Sequence, residues 1–327
     1  MGVNLYRSTD GSAPSLTGQT GSLVALLDAC LVNGYGTQAA AGWTIAYTGT
    51  SKRDYKQGAG SNGYYLDVDD SGPGAGSYRE ARMRGYEAMT ALGTGTMPFP
   101  TTAQSSYGVV CRKSATADAT ARPWYLLADS TCFYLFVDTG DFTGPSYSFG
   151  FMFGDLFSYK AGDTYNTAII GRNGENNGAG NLDNVATIYG TGAAASGVSG
   201  SGLPGHYIDR IWTGVGGSLP FGKFSALHAS SVNFSATGSP NAILTYPNGP
   251  DSALELAPIW VGHSNAVRGY MKGLWAPLHN QPCGHTDTFT GTGNTAGKSF
   301  MALNVQSNYY GSYSAGQIVI ETSNTWS

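Results

Sequence analysis

The stretch WYLLADSTCFYLFVDTGD, residues 124–141, decides how this chain is read. Two apolar runs, WYLLA and CFYLFV, flank Asp129-Ser130. Runs of five or six β-branched, aromatic and aliphatic residues are the length of strands, and the Asp-Ser step between them is turn chemistry, so the segment predicts an antiparallel pair. The next apolar stretch, PSYSFGFMFGDLFSY (145–159), repeats the message in another form. Tyr147, Phe149, Phe151 and Phe153 alternate with Ser148, Gly150, Met152 and Gly154, the period of two of a strand with an aromatic face. Further strands are expected at 43–48, 64–68, 107–112, 166–171, 256–261, 299–305 and 316–321.

One segment breaks this pattern. In GSLVALLDACLVNGYG (21–36), Leu23, Leu26, Leu27, Cys30 and Leu31 recur at helical spacing and form one apolar stripe. Thr20 or Ser22 is placed to cap the start and Asn33-Gly34 to stop the end. We therefore expect a mainly β protein, an antiparallel sandwich or barrel-like architecture, with one short N-terminal amphipathic helix at about 21–33 and long Gly-rich loops. The whole chain, 1–327, reads as a single β-rich unit; the Gly/Ser-rich run 189–205 is where it would subdivide.

Composition supports the β reading. Charged residues make up only 12% of the chain, against a usual ~25%, and there are 48 glycines. Neutral polar and aromatic residues take the place of the missing charges, which suits short strands, tight turns and surfaces that meet other subunits. Net charge is −4 with no basic run, so a nucleic-acid footprint is not expected. No apolar run is long enough to span a bilayer as a helix, and no secretory leader is visible at MGVNLYRSTD. The cysteines, Cys30, Cys111, Cys132 and Cys283, form no CxxC pair and no disulfide framework.

Four stretches invite a chemical reading. GTGNTAGKSF (291–300) ends like a phosphate-binding loop, but the spacing to its Gly-Lys-Ser is wrong and a strand follows where a helix is needed, so a Gly-rich hairpin turn is expected. LDVDDSGPG (66–74) opens like a calcium loop with Asp67 and Asp69, yet Tyr78 stands where the bidentate Glu belongs. Asp67, Asp69, Asp70, Asp155 and Glu175 are candidates for the carboxylate pair of a glycan or wall hydrolase, and nothing in the sequence pairs them. LWAPLHNQPCGHTD (274–287) gathers His279, Cys283, His285 and Asp287. Zinc normally draws two spaced ligand pairs from separate elements, and no orienting group or oxyanion hole marks a Cys–His dyad, so a packed loop is expected, with Trp275 and Leu278 as buried anchors and His279 bonded to the backbone. No catalytic residue, cofactor or metal is predicted. His279, Cys283 and His285, and Asp67 with Asp69, are the residues that come nearest to a ligand set.

Several phrases together carry a resemblance. They are MGVNLYRSTDGSAP, GSLVALLDACLVNGYG, GWTIAYTGTSKRDYKQGAG, REARMRGYEAMT, RKSATADATARPWYLLAD, FMFGDLFSYKAGD, GLWAPLHNQP and IETSNTWS, in order along most of the chain. The chain resembles a group of virion structural proteins encoded by tailed bacteriophages. The resemblance implies a non-enzymatic particle component of tail, baseplate or capsid decoration, assembled in the bacterial cytoplasm. Its implied partners are other virion proteins and copies of itself, without direct nucleic-acid or membrane binding. The segments expected to reach neighbours are the first ten residues, the 189–205 loop and the C-terminal strand. The alternative is a carbohydrate-binding, host-recognition module, with exposed aromatics such as those of YYGSYS (309–314) stacking on surface glycan; a hydrolase is the third reading.

Overall fold

The computed structural model describes residues 2–72, 79–140, 149–172, 205–224, 246–263, 266–279, 282–309 and 312–326. In chain order, the elements are β1 (Asn4–Arg7), α1 (Ser22–Leu27), a π-helical continuation (Asp28–Asn33), β2 (Thr44–Gly49), β3 (Lys52–Lys56), β4 (Tyr65–Asp69), β5 (Glu80–Ala91), β6 (Thr94–Phe99) and β7 (Val109–Arg112). They continue with β8 (Trp124–Ala128), β9 (Cys132–Val137), β10 (Phe149–Asp155), β11 (Phe157–Ser158), β12 (Thr167–Ile170), β13 (His206–Ile208), β14 (Leu219–Pro220) and β15 (Gly222–Phe224). The last are β16 (Leu256–His263), β17 (Ala266–Pro277), β18 (Thr288–Thr290), a 3₁₀ turn (Gly293–Thr295), β19 (Ser299–Tyr309) and β20 (Ser312–Glu321). The strands pair antiparallel in three sheets, ordered β1-β8-β9-β10-β12-β13-β14, β2-β3-β4-β5-β6 with β7 on β5, and β15-β16-β17-β20-β19-β18 with β11 on β17. None of these closes into a barrel among the described residues.

The opening stretch explains the arrangement. β8 and β9 pair as expected, Leu126 opposite Leu135, around a turn in which the Asp129 carboxylate accepts the N–H groups of Thr131 (2.7 Å) and Cys132 (2.8 Å). Every residue of β9 is buried. A strand buried along its whole length must be covered on both faces, which is why it reads as an unbroken apolar run rather than an alternation. One face of the β1–β14 sheet, carrying Trp124, Leu126, Phe133, Leu135, Phe151 and Phe153, packs on the helix and the β2–β6 sheet. The other, carrying Leu127, Tyr134, Phe136 and Met152, packs on Ile259, Met271, Leu274, Leu303 and Ile318 of the third sheet. The architecture is thus three β layers with the helix beside one outer layer.

Tyr147 of the aromatic alternation lies outside the described residues; Phe151 and Phe153 share one core and Met152 faces the other. All five residues of the predicted helical stripe, Leu23, Leu26, Leu27, Cys30 and Leu31, are fully buried. The helix ends at Asn33 with Gly34 at φ 76° as expected, but its start differs. Neither Thr20 nor Ser22 caps the helix: Gly21 holds the N-cap position with φ 79°, and the Ser22 hydroxyl donates to the carbonyls of Thr17 and Gln19. The first-turn N–H of Leu23 is instead accepted by Asp70 (2.8 Å). The end unwinds into a π-turn, Gly34 N–H bonding Ala29 O, and the carbonyls of Cys30 and Leu31 accept N–H groups from Ala41, Gly42 and Trp43.

The segment 189–205 lies outside the described residues except Gly205. The C-terminal strand is not a free arm: β20 sits inside its sheet, paired with both β17 and β19. β1, by contrast, is an edge strand of the central sheet. No helix among the described residues is long and apolar enough to cross a membrane.

Candidate functional site

The chemically suggestive residues of the sequence are scattered by the fold. Asp69 pairs with Lys52 at 2.7 Å and accepts the N–H and hydroxyl of Ser71. Asp67 faces Asp54 directly across the β3–β4 ladder. Asp70 is fully buried against Lys113 and the helix start, and Asp155 is buried under Gln57, Asn62 and Thr167. Asp69, Asp70 and Asp155 thus tie elements together, while Asp67 meets a second carboxylate; Glu175 lies outside the described residues. Tyr78 also lies outside them, so the end of the calcium-like loop is not described.

The described residues of the His/Cys stretch run from the end of β17 into a loop. Among the described residues, no group of three or more His, Cys, Asp or Glu could hold a metal. His279 is buried, and its Nε2 accepts the N–H of Glu255 at 2.9 Å. His285 Nδ1 accepts the N–H of Asn304 at 3.0 Å, and burial keeps this imidazole below its usual pKa. A ring nitrogen that accepts an N–H has no lone pair left there for a cation. The Cys283 thiol is pushed up by burial and by the charge of Asp287, away from thiolate character. Trp275 and Leu278 are only half-buried, contrary to expectation; the buried anchors of this phrase are Leu274 and His279. Trp275 lies at the outer face, where Lys298 covers its ring at 4.9 Å and Glu321 accepts its indole N–H at 3.1 Å.

Two surfaces stand out among the described residues. The first is an open cleft of about 820 Å³ where the 246–254 and 282–293 segments meet. The phosphate-loop mimic supplies part of its wall: Gly291–Gly293 turn from β18 towards β19 as a Gly-rich connection, with a strand following as expected. Tyr246, 46% exposed, stands edge-on to the buried His279 ring at 5.5 Å and 71°. Asp251 is held by the Asn248 side-chain amide (2.6 Å) and the N–H of Ala253 (3.0 Å), bonds that lower its carboxyl below the usual range. Asp287 Oδ2 accepts the N–H of Gly284 at 2.7 Å. Ser252, Thr288 and Thr290 add hydroxyls, and Phe289 adds a second ring, itself stacked on Phe300 at 5.4 Å. Sequence reasoning did not find Tyr246, Asp251 or Phe289, because only folding brings their segments together.

The second surface is a row of aromatics across three adjacent strands. Phe157 stacks on Tyr270, its register partner, at 4.4 Å and 17°. Trp260 is the partner of Tyr270 on the other side and donates its indole N–H to the Tyr159 hydroxyl at 3.0 Å. Phe157 is 38% and Tyr159 57% exposed. Beneath them, buried Arg268 grips Asp163 with two bonds, 2.7 and 2.9 Å, and its carbonyl accepts the Tyr159 N–H. Burial pushes the Asp163 carboxyl up, but the bonds from Arg268, Ser158 and Tyr165 outweigh it and hold it ionised below the usual range. The patch is thus rigidly mounted.

In comparison with known proteins, no family model and no curated protein matches this chain.

Proposed function

We propose that this chain is a non-enzymatic structural component of a tailed-bacteriophage virion, working by subunit–subunit assembly. The geometric observation that carries the reading is the Phe157–Tyr159–Trp260–Tyr270 row. Stacked aromatics held in fixed orientation in partial contact with water are the composition of an interface centre: large apolar area with little side-chain entropy to lose on docking. The use of Asp70, Asp155 and Asp163 as internal ties, and the sequence resemblance, support the same reading. The partner in this reading is a neighbouring particle subunit, of this chain or another.

Particles purified from the phage that encodes the chain test the proposal. Mass spectrometry is expected to find the protein in them at stoichiometric level, and a map of the particle to place a neighbour over the aromatic row. A Phe157→Ala/Tyr159→Ala variant is expected to fold normally, since both rings are partly exposed, yet to be depleted from particles. Absence from purified particles would sink the proposal.

A further inference from the structure

We infer that the cleft between residues 246–254 and 282–293 is a binding site for a neutral oligosaccharide. Its size suits a few sugar rings, within the range of small-molecule clefts. Its chemistry narrows the class. Hydroxyls of Ser252, Thr288 and Thr290 and the carboxylates of Asp251 and Asp287 line it, and none of its described lining residues is Lys or Arg. Two carboxylates without a cation disfavour phosphates, sulfates, nucleic acids and acidic sugars. The same carboxylates are strong acceptors for ligand hydroxyls, and the threonine and serine hydroxyls both donate and accept.

The apolar part fits as well. A pyranose ring presents C–H groups on one face and hydroxyls around its rim, so it needs an aromatic plane beside polar groups. Tyr246 offers that plane, with its edge-on contact to His279 limiting its movement. The polar groups are fixed before any ligand arrives, Asp251 by Asn248 and Ala253, Asp287 by Gly284, so little ordering cost falls on binding. Asp251 is exposed, and its bonds from Asn248 and Ala253 hold its carboxyl below the usual range, which suits an acceptor of ligand hydroxyls rather than a proton donor to a leaving group.

The test is titration calorimetry of the purified full chain with maltotetraose, cellotetraose, chitotetraose and mannotetraose, with tetragalacturonate and sialyllactose as acidic probes. At least one neutral probe is expected to bind at millimolar or lower concentration. Tyr246→Ala is expected to weaken that binding by about tenfold or more, and Asp287→Ala to weaken it too. Circular dichroism reads folding separately. No neutral probe bound, acidic probes alone bound, or binding that survives both substitutions would each overturn the inference. Incorporation into particles is read independently, so this result leaves the assembly proposal standing or falling on its own.

Discussion

The carboxylate of Asp70 accepts the backbone N–H of Leu23, 47 positions earlier in the chain, and on its other oxygen meets the ammonium of Lys113. One buried side chain therefore caps the only α-helix of the described residues and neutralises a lysine with no exposed surface. Burial pushes this carboxyl up, against the pull of Lys113 and the helix N–H groups.

That relationship sets the first prediction. Asp70→Ala removes the cap and leaves the Lys113 charge buried, with the Gln19 carbonyl (2.6 Å) still accepting from it. Stability is expected to fall by about 3–5 kcal/mol, the usual cost of breaking a buried pair from one side. Adding Lys113→Met is expected to recover part of the loss in urea denaturation. A double variant no more stable than Asp70→Ala would show that the cap, not the orphaned charge, carries the effect.

The reach of Asp70 marks the limit of what was legible in the sequence. Strand positions were legible because each apolar run records its own burial, and the helical stripe because Leu23 to Leu31 lie within nine residues. The β9 run even carries the signature of a strand covered on both faces, although which layers cover it depends on pairings far apart in the chain. The helix cap, the Asp54–Asp67 pair and the cleft were hidden, since each joins residues whose proximity only the fold creates. Conversely, local crowding of His and Cys at 279–285 suggested chemistry, whereas in the fold one ring nitrogen each of His279 and His285 accepts a backbone N–H.

A second prediction concerns pH. Asp54 is fully buried opposite Asp67, and Gly93 N–H donates to it at 3.2 Å. Burial, then the Asp67 charge, push the Asp54 carboxyl up to about 8. Asp67 is also raised by burial, with Asp54, Arg84 and Lys52 pulling it down and Asp69 pushing it up. Asp209 is raised to about 8 in the same way, by burial and then by Glu87, with Arg210 opposing. A carboxyl whose folded pKa is raised keeps a proton that the unfolded chain has already lost. Its stabilisation is full below about pH 4 and disappears as pH rises to about 8. Each proton contributes a slope of up to about 1.4 kcal/mol per pH unit. Urea midpoints measured at pH 5.5, 7 and 8.5 are expected to fall steadily. Asp54→Asn, which removes the titrating carboxyl, is expected to flatten the decline; an unchanged slope would contradict a raised Asp54 carboxyl.

Gly154 gives a third prediction. It lies opposite Cys132 in the β9–β10 ladder with φ 140°, and a Cβ there would stand 2.3 Å from the Cys132 Cα. Backbone on that side cannot yield as a flexible side chain would. Gly154→Ala is expected to destabilise by about 1–3 kcal/mol or more. Gly11→Ala, where a Cβ meets nothing within 4 Å, is expected to stay within about 0.5 kcal/mol. Thermal melts of the two side by side check the contrast, and equal melting temperatures would refute it.

The cysteines supply a chemical probe of the cleft. Cys30, Cys111 and Cys132 are fully buried, whereas Cys283 is half-buried and lines the cleft wall. Burial and the neighbouring Asp287 charge raise the Cys283 thiol, so its thiolate fraction at neutral pH is small. In the native chain a disulfide reagent is expected to modify one thiol slowly, faster as pH rises, and all four after unfolding in urea. Cys283→Ser is expected to abolish the native reaction. A neutral tetrasaccharide occupying the cleft is expected to slow labelling of Cys283 while leaving the unfolded-state count unchanged. Reaction of two or more thiols at similar rates in the native protein would mean that the core around Cys30, Cys111 or Cys132 opens far more readily than its packing implies.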